Sequence, residues 1–265
     1  GANDKTTVGW VGTGTRGNYV MEMMYKEMGK NVEVTAICDT YKGNLAKGKD
    51  KVQTNGGNAP KTYVDYRDLL KDPSIDVVFI STPEHLHHDM AIAALAAGKN
   101  IYLEKPIAHT IEEGWDSGRE AKQANKVVQV GTQNRSNSLY IKAKEMVAQG
   151  MIGDIHYVRA FWYRNSLNDS PAWRYAIPDD TNEENTDFSR FLGTAKKRPF
   201  NKGRYFQWRL YWDYSGGLST DLLVHQTDIT NFVCGKPVPA SCLASGGIYR
   251  WAHAPAGSTG AAAPP

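Results

Sequence analysis

The hexapeptide Gly12-Thr13-Gly14-Thr15-Arg16-Gly17 restricts the fold more than any other part of the chain. It has the spacing G-x-G-x-x-G, and it lies between an apolar strand-like run at residues 7–12 and a helical pattern at residues 17–28. In that context Gly12 permits a tight turn, Gly14 lets the backbone approach a pyrophosphate, and Gly17 lets helix and strand pack closely. Thr15 and Arg16 sit where the helix N-terminus offers N–H groups and positive potential to phosphate. About twenty residues past the glycines, Asp39 ends a second strand at 32–39, where a carboxylate can accept from ribose hydroxyls. Its charge would repel a 2′-phosphate, so NAD is the expected cofactor.

The alternation continues through strands at 76–82, 100–104 and 127–131 and helices at 87–97 and 111–125. Near-continuous apolar strands separated by helices imply βαβ units and a doubly wound parallel sheet. The second half differs. It reads as a helix at 138–148, a long aromatic strand at 155–163, an irregular stretch at 165–205, a helix at 219–233 and a strand at 240–249. The expected fold class is therefore α/β: a Rossmann domain at 1–134, then an α+β domain at 135–251 with an incomplete open antiparallel or mixed sheet. Residues 252–265 are almost all Ala, Pro, Gly, Ser and Thr, a composition that cannot bury a core, so a disordered tail is expected.

Bulk properties exclude some classes. The chain has 265 residues and a formal charge of +3, too weak to imply nucleic acid. Its three cysteines are too few for a disulfide framework. No stretch is apolar enough to span a membrane as a helix, and none reads as a signal peptide. His85, His87 and His88 alternate at a strand end in no common metal spacing, so no metal is expected.

A set of motifs then accumulates: Thr82-Pro83-Glu84-His85-Leu86-His87, Gly98-Lys99-Asn100, Glu104-Lys105-Pro106, Gly131-Thr132-Gln133, Gly150-Met151-Ile152-Gly153, and Gly216-Gly217-Leu218-Ser219-Thr220-Asp221-Leu222-Leu223-Val224-His225. In this order they resemble the Gfo/Idh/MocA oxidoreductases, which include glucose-fructose oxidoreductase and inositol dehydrogenase. The resemblance runs to about Tyr249. It implies a sugar, inositol or related polyol as substrate and Lys105, Asp221 and His225 as the catalytic residues. Glu104 and Pro106 would fix Lys105. Thr82, Pro83, His87, Glu104, Lys105 and Gln133 would join Gly12, Gly14, Thr15, Arg16, Gly17 and Asp39 around the cofactor.

The chemistry of these residue types agrees. Oxidising an alcohol requires a base for its proton, and histidine titrates near neutrality. Asp221 and His225 are four apart, so a regular helix would put them on one face, where the carboxylate would favour the imidazolium. A lysine beside the alcohol stabilises negative charge on its oxygen. Aromatic and arginine residues between 155 and 214 suit a carbohydrate ring, with Arg164, Asn165, Arg209 and Trp212 the candidate substrate contacts.

The same resemblance bears on extent, location and activity. Family members continue into a larger sheet that also helps build oligomers, so a short second sheet and an uncertain homo-oligomer are expected. The opening Gly1-Ala2-Asn3-Asp4-Lys5 resembles the residues after a twin-arginine signal, which points to the periplasm, with the cytoplasm as the alternative. Three activities stay open: a dehydrogenase using free NAD, a glycoside-cleaving enzyme with tightly held NAD, and a catalytically incomplete remnant that binds sugar or NAD.

Overall fold

The structure is a computed structural model and describes residues 5–163, 166 and 172–247. Its first half is a six-stranded parallel sheet: β1 (Thr6–Val11), β2 (Val32–Cys38), β3 (Lys61–Tyr63), β4 (Val77–Ile80), β5 (Asn100–Leu103) and β6 (Val128–Val130). The spatial order is β3-β2-β1-β4-β5-β6, with every neighbouring pair parallel. The order reverses between β1 and β4, and in such sheets that reversal opens a crevice beyond the strand C-termini.

Helices cover both faces, which is why the strands carry apolar residues on both sides. On one face α1 (Thr15–Met28) and α2 (Lys42–Gly56) pack Met21, Met24, Tyr25 and Val52 against Val8, Trp10, Val34 and Ile37. On the other, α3 (Tyr66–Leu70) and α4 (His87–Ala96) pack Leu69, Leu70, Met90 and Ala94 against Val11, Val78, Ile80 and Leu103. An aromatic row crosses three neighbouring strands. Trp10 stacks on Phe79 at 4.4 Å between centroids, and Phe79 stacks on Tyr102 at 4.7 Å. The following helix α5 (Ile111–Ala124) starts with a capping box, in which the Thr110 hydroxyl accepts from the Glu113 amide and the Glu113 carboxylate accepts from the Thr110 amide.

The expected strands and helices of this half are present with ends shifted by a residue or two. The sequence reading passed over α2, β3 and α3. The second half contains α6 (Ser138–Ala148), α7 (Phe188–Leu192), α8 (Lys202–Phe206), a π-helical turn at Ser219–Leu223 and α9 (Val224–Cys234). Helices α6 and α9 pack together, with Arg135 bonded to Asp228 at 2.7 Å and both Arg135 and Lys144 over the Phe232 ring.

The strands expected at 155–163 and 240–249 are not formed among the described residues; 154–163 and 241–247 are irregular, and 248–249 lie outside the described set. A strand needs a neighbour to pair its N–H and C=O groups, and among the described residues none runs beside 155–163. Tyr157, Phe161 and Tyr163 are accordingly 80%, 61% and 76% exposed. No described residue belongs to a second sheet.

Residues 180–215 return to the first half instead. Tyr41, Phe188, Phe191, Leu192, Tyr205 and Tyr214 form a third buried cluster at the end of β2. Tyr41 pairs with Thr186 in an isolated bridge, and Lys42 and Asp187 exchange backbone bonds with Asn185 and Thr40.

Candidate functional site

The crevice predicted by the strand order is a cavity of about 990 Å³, large enough for a dinucleotide and a small substrate together. Its floor is the turn between β1 and α1. Gly12 has φ +89°, and a Cβ there would lie 2.7 Å from the Ser81 carbonyl oxygen. At Gly17 a Cβ would lie 2.0 Å from the Gly12 oxygen. Gly17 therefore makes helix–strand packing possible and does not itself line the cavity. Gly14 caps α1 with no side-chain acceptor, and the first turn carries no acid. The helix N-terminus thus faces the cavity with its donors and its positive potential uncontested, as a pyrophosphate requires. The residues present fit NAD.

Asp39 lies just past β2 and lines the same cavity. It is buried, and burial pushes its carboxyl above the usual range. The Tyr41 and Thr13 amides, Asn44 and Tyr205 donate to it and oppose that shift.

At the other end of the crevice, Arg16 crosses from α1 to Glu104 at 3.0 Å and to Gln133 at 3.2 Å. It links the glycine turn to the ends of β5 and β6. His87 is buried, and its ring lies between two carbonyls, Thr82 at 2.8 Å and Pro106 at 2.6 Å. It holds the Glu104-Lys105-Pro106 turn against the end of β4. Burial lowers its imidazole pKa, and the two carbonyls oppose that shift. Thr82, Pro83, His87, Glu104, Lys105 and Gln133 all line the cavity.

Lys105 meets the second half here. Its Nζ donates to Asp221 Oδ1 at 3.0 Å and to the Asp221 carbonyl at 2.5 Å. Arg209 Nε donates to the same Oδ1 at 3.2 Å, and Trp173 Nε1 donates to Oδ2 at 3.1 Å. Burial raises the Asp221 pKa, but Arg209 and Lys105 outweigh it, and the carboxyl is held below its ordinary value. His225 lines the cavity beside them, its ring 5.9 Å from that of Trp162.

Two sequence expectations change here. The spacing of Asp221 and His225 suggests a bonded pair, yet both Asp221 oxygens are turned to Lys105, Arg209 and Trp173. Asp221 sits in the π-helical turn and His225 in the first turn of α9, and the donors that reach Asp221 come from the β5 end and from the 173–209 region. The neighbouring carboxylate would place the His225 pKa near or above its ordinary value. It is lowered instead, first by burial and then by the Lys105 charge, with Asp221 opposing.

Of the candidate substrate contacts, Arg209 lines the cavity, whereas Trp212 is 62% exposed and does not. Arg164 and Asn165 lie outside the described residues. Sequence reasoning missed the roles of Trp173 and Tyr205. Trp173 is the more conspicuous in the structure, since its φ of +63° is costly for so bulky a residue. It also missed Glu84, a buried carboxylate that accepts from the Ser215 hydroxyl and joins the two halves. Among the described residues, no group of three or more His, Cys, Asp or Glu could hold a metal, and no helix is long and apolar enough to cross a membrane.

Two family models match the chain. One, described as an oxidoreductase family NAD-binding Rossmann fold, matches residues 6–132; the other, an oxidoreductase family C-terminal alpha/beta domain, matches residues 141–242. The chain is 35% identical over 149 residues to an inositol 2-dehydrogenase/D-chiro-inositol 3-dehydrogenase of Lactiplantibacillus plantarum, covering 56% of this chain and 41% of that protein. It is 33% identical over 157 residues to a glycosyl hydrolase family 109 protein of Shewanella baltica, covering 57% of this chain and 34% of that one. A solved myo-inositol dehydrogenase from Lactobacillus casei, in complex with NAD(H) and myo-inositol, is similar at TM-score 0.51 and 29% identity over 57% of this chain and 43% of its own. Each match spans less than half the length of the relative.

Proposed function

The chain belongs to the Gfo/Idh/MocA oxidoreductase family, and we propose that it oxidises or reduces a secondary hydroxyl on a sugar, inositol or related polyol with NAD. One observation carries this reading: Lys105, Asp221 and His225 converge in the same cavity that the glycine turn opens into. NAD, when bound, supplies the hydride acceptor or donor. The protein's own groups handle the proton and the oxygen. His225, kept below its ordinary pKa, is neutral near pH 7 and can take a hydroxyl proton. Lys105 stabilises negative charge on the substrate oxygen. Asp221 aims the Lys105 ammonium, and Arg209 and Trp173 fix Asp221 in turn. The resemblance to inositol dehydrogenases supports the polyol class.

A second reading, cleavage of a glycoside with tightly held NAD, is favoured by the resemblance to a glycosyl hydrolase family 109 protein. Incubation with NAD and a panel of sugars, inositols and aryl glycosides separates the two. Steady NADH formation is the expected result. Aglycone release with no net NADH, and no need for added NAD, would replace the first reading with the second.

A further inference from the structure

Asp39 is more heavily engaged than a carboxylate waiting for a ribose needs to be. Its Oδ2 accepts from the Thr13 amide at 2.8 Å and from Asn44 Nδ2 at 3.2 Å. Its Oδ1 accepts from the Tyr41 amide at 2.9 Å and from the Tyr205 hydroxyl at 3.2 Å. An ionised carboxylate offers about four acceptor sites, and these donors use them. A ribose hydroxyl seeking the same oxygens must displace one. The two amides belong to the glycine turn and to the entry of α2, so they are fixed by backbone. The side-chain donors hold the longer bonds and are the ones that can leave: Asn44, Tyr205 and the Thr13 hydroxyl, which is 3.4 Å from Oδ2 and closer, at 3.0 Å, to the Asn44 carbonyl.

Tyr205 can leave cheaply. Its hydroxyl also lies 2.8 Å from Thr40 Oγ1, so turning the O–H away from Asp39 gives it another partner. The ring itself is anchored among Tyr41, Phe191 and Phe206, with centroids at 6.4, 4.7 and 4.9 Å. Tyr205 and Asp39 both line the cavity.

We propose that Tyr205 is a latch, supplied by the second half of the chain, that competes with the adenosine ribose for Asp39 and so sets cofactor affinity and part of the preference for NAD over NADP. This rests on NAD occupying the crevice. The sign is opposite to that of an ordinary contact residue, since removing the hydroxyl strengthens binding. It is also selective. A 2′-phosphorylated ribose has lost the 2′-hydroxyl donor and carries an anion toward Asp39, so NADP gains less than NAD when an Asp39 lone pair is freed.

Calorimetric titration of the whole chain and of Tyr205→Phe with NAD and NADP tests the latch. NAD should bind the variant about fivefold more tightly, the difference between a hydrogen bond to a charged group and the one to Thr40 that replaces it, with NADP affinity within about twofold of wild type. Equal or weaker NAD binding by a variant that melts like wild type would overturn the proposal, as would an equal gain for NADP. A second measurement needs no stable variant. In the chain carrying 3-fluorotyrosine at position 205 alone, NAD should shift the ¹⁹F resonance, and a resonance that stays put also overturns the proposal. Wild type that binds neither dinucleotide would overturn the cofactor assignment itself, and the latch with it.

Discussion

His85 offers a sharp test of how the two halves are joined. It follows the end of β4, is 6% exposed, and points into the second half, with Nε2 2.8 Å from the Phe191 carbonyl and its ring against Phe191 and Tyr214. Burial pushes its pKa from 6.5 to about 4, against the pull of the Phe191 carbonyl and of Asp213. The folded protein therefore holds His85 neutral while the unfolded chain protonates it near pH 6.5. Because the folded pKa is the lower one, the unfolded state binds the proton first, and stability is lost as pH falls from about 6.5 toward about 4. The gap between those values, at 1.36 kcal/mol per pH unit, is worth about 3 kcal/mol in full and about 2 kcal/mol by pH 5. Urea unfolding of wild type and His85→Gln at pH 7, 6 and 5 isolates it, because the other titrating groups are common to both proteins. Glutamine stays neutral and can still donate to the Phe191 carbonyl. The wild-type stability should fall by about 2 kcal/mol more than that of the variant between pH 7 and pH 5. Parallel pH profiles would refute the claim that the imidazole is buried in a neutral form.

Lys105→Met removes the charge that helps hold His225 down, so the His225 pKa, followed by NMR, should rise above its wild-type value; a fall would show that Lys105 does not act on it electrostatically. Gly17→Ala places a Cβ against the Gly12 carbonyl at a distance no real contact tolerates, and should destabilise the fold by about 1–3 kcal/mol while weakening NAD binding. An unchanged melting midpoint would mean that α1 shifts freely, contrary to the packing seen.

The first half was legible because its signals are local. Gly12, Gly14 and Gly17 each answer a steric demand that the backbone imposes, and the strands are short apolar runs between breakers. What was missed there has weak periodicity. Helix α2 contains three glycines and buries just Gly48 and Val52, so it carries no apolar stripe to read. Strand β3 is three residues at a sheet edge, with none fully buried. Lys105, Asp221 and His225 were found through motif order, and the cavity does bring them together. Their wiring was not legible, because a π-turn looks like any helix in sequence, and because Trp173 reaches Asp221 across 48 positions.

The long irregular stretch shows why the rest escaped. Residues 180–215 follow no period of their own because their partners lie elsewhere: Tyr205 on Asp39 and Thr40, Arg190 on Asp65, Ser215 on Glu84, and Phe191 on His85. Each such contact joins positions more than a hundred residues apart, so no window of sequence contains both members. The partners on the first half cluster beyond the strand C-termini, the rim where the sheet order reverses. A segment docked there forms a second wall for the crevice, to which Phe191, Tyr205 and Arg209 contribute. Tyr205 and Phe191 line the cavity on the side of Asp39, whereas Arg209 lines it beside Asp221. One irregular region thus reaches both ends of the site, so changes within it should alter cofactor affinity and substrate chemistry separately, according to which end the residue touches.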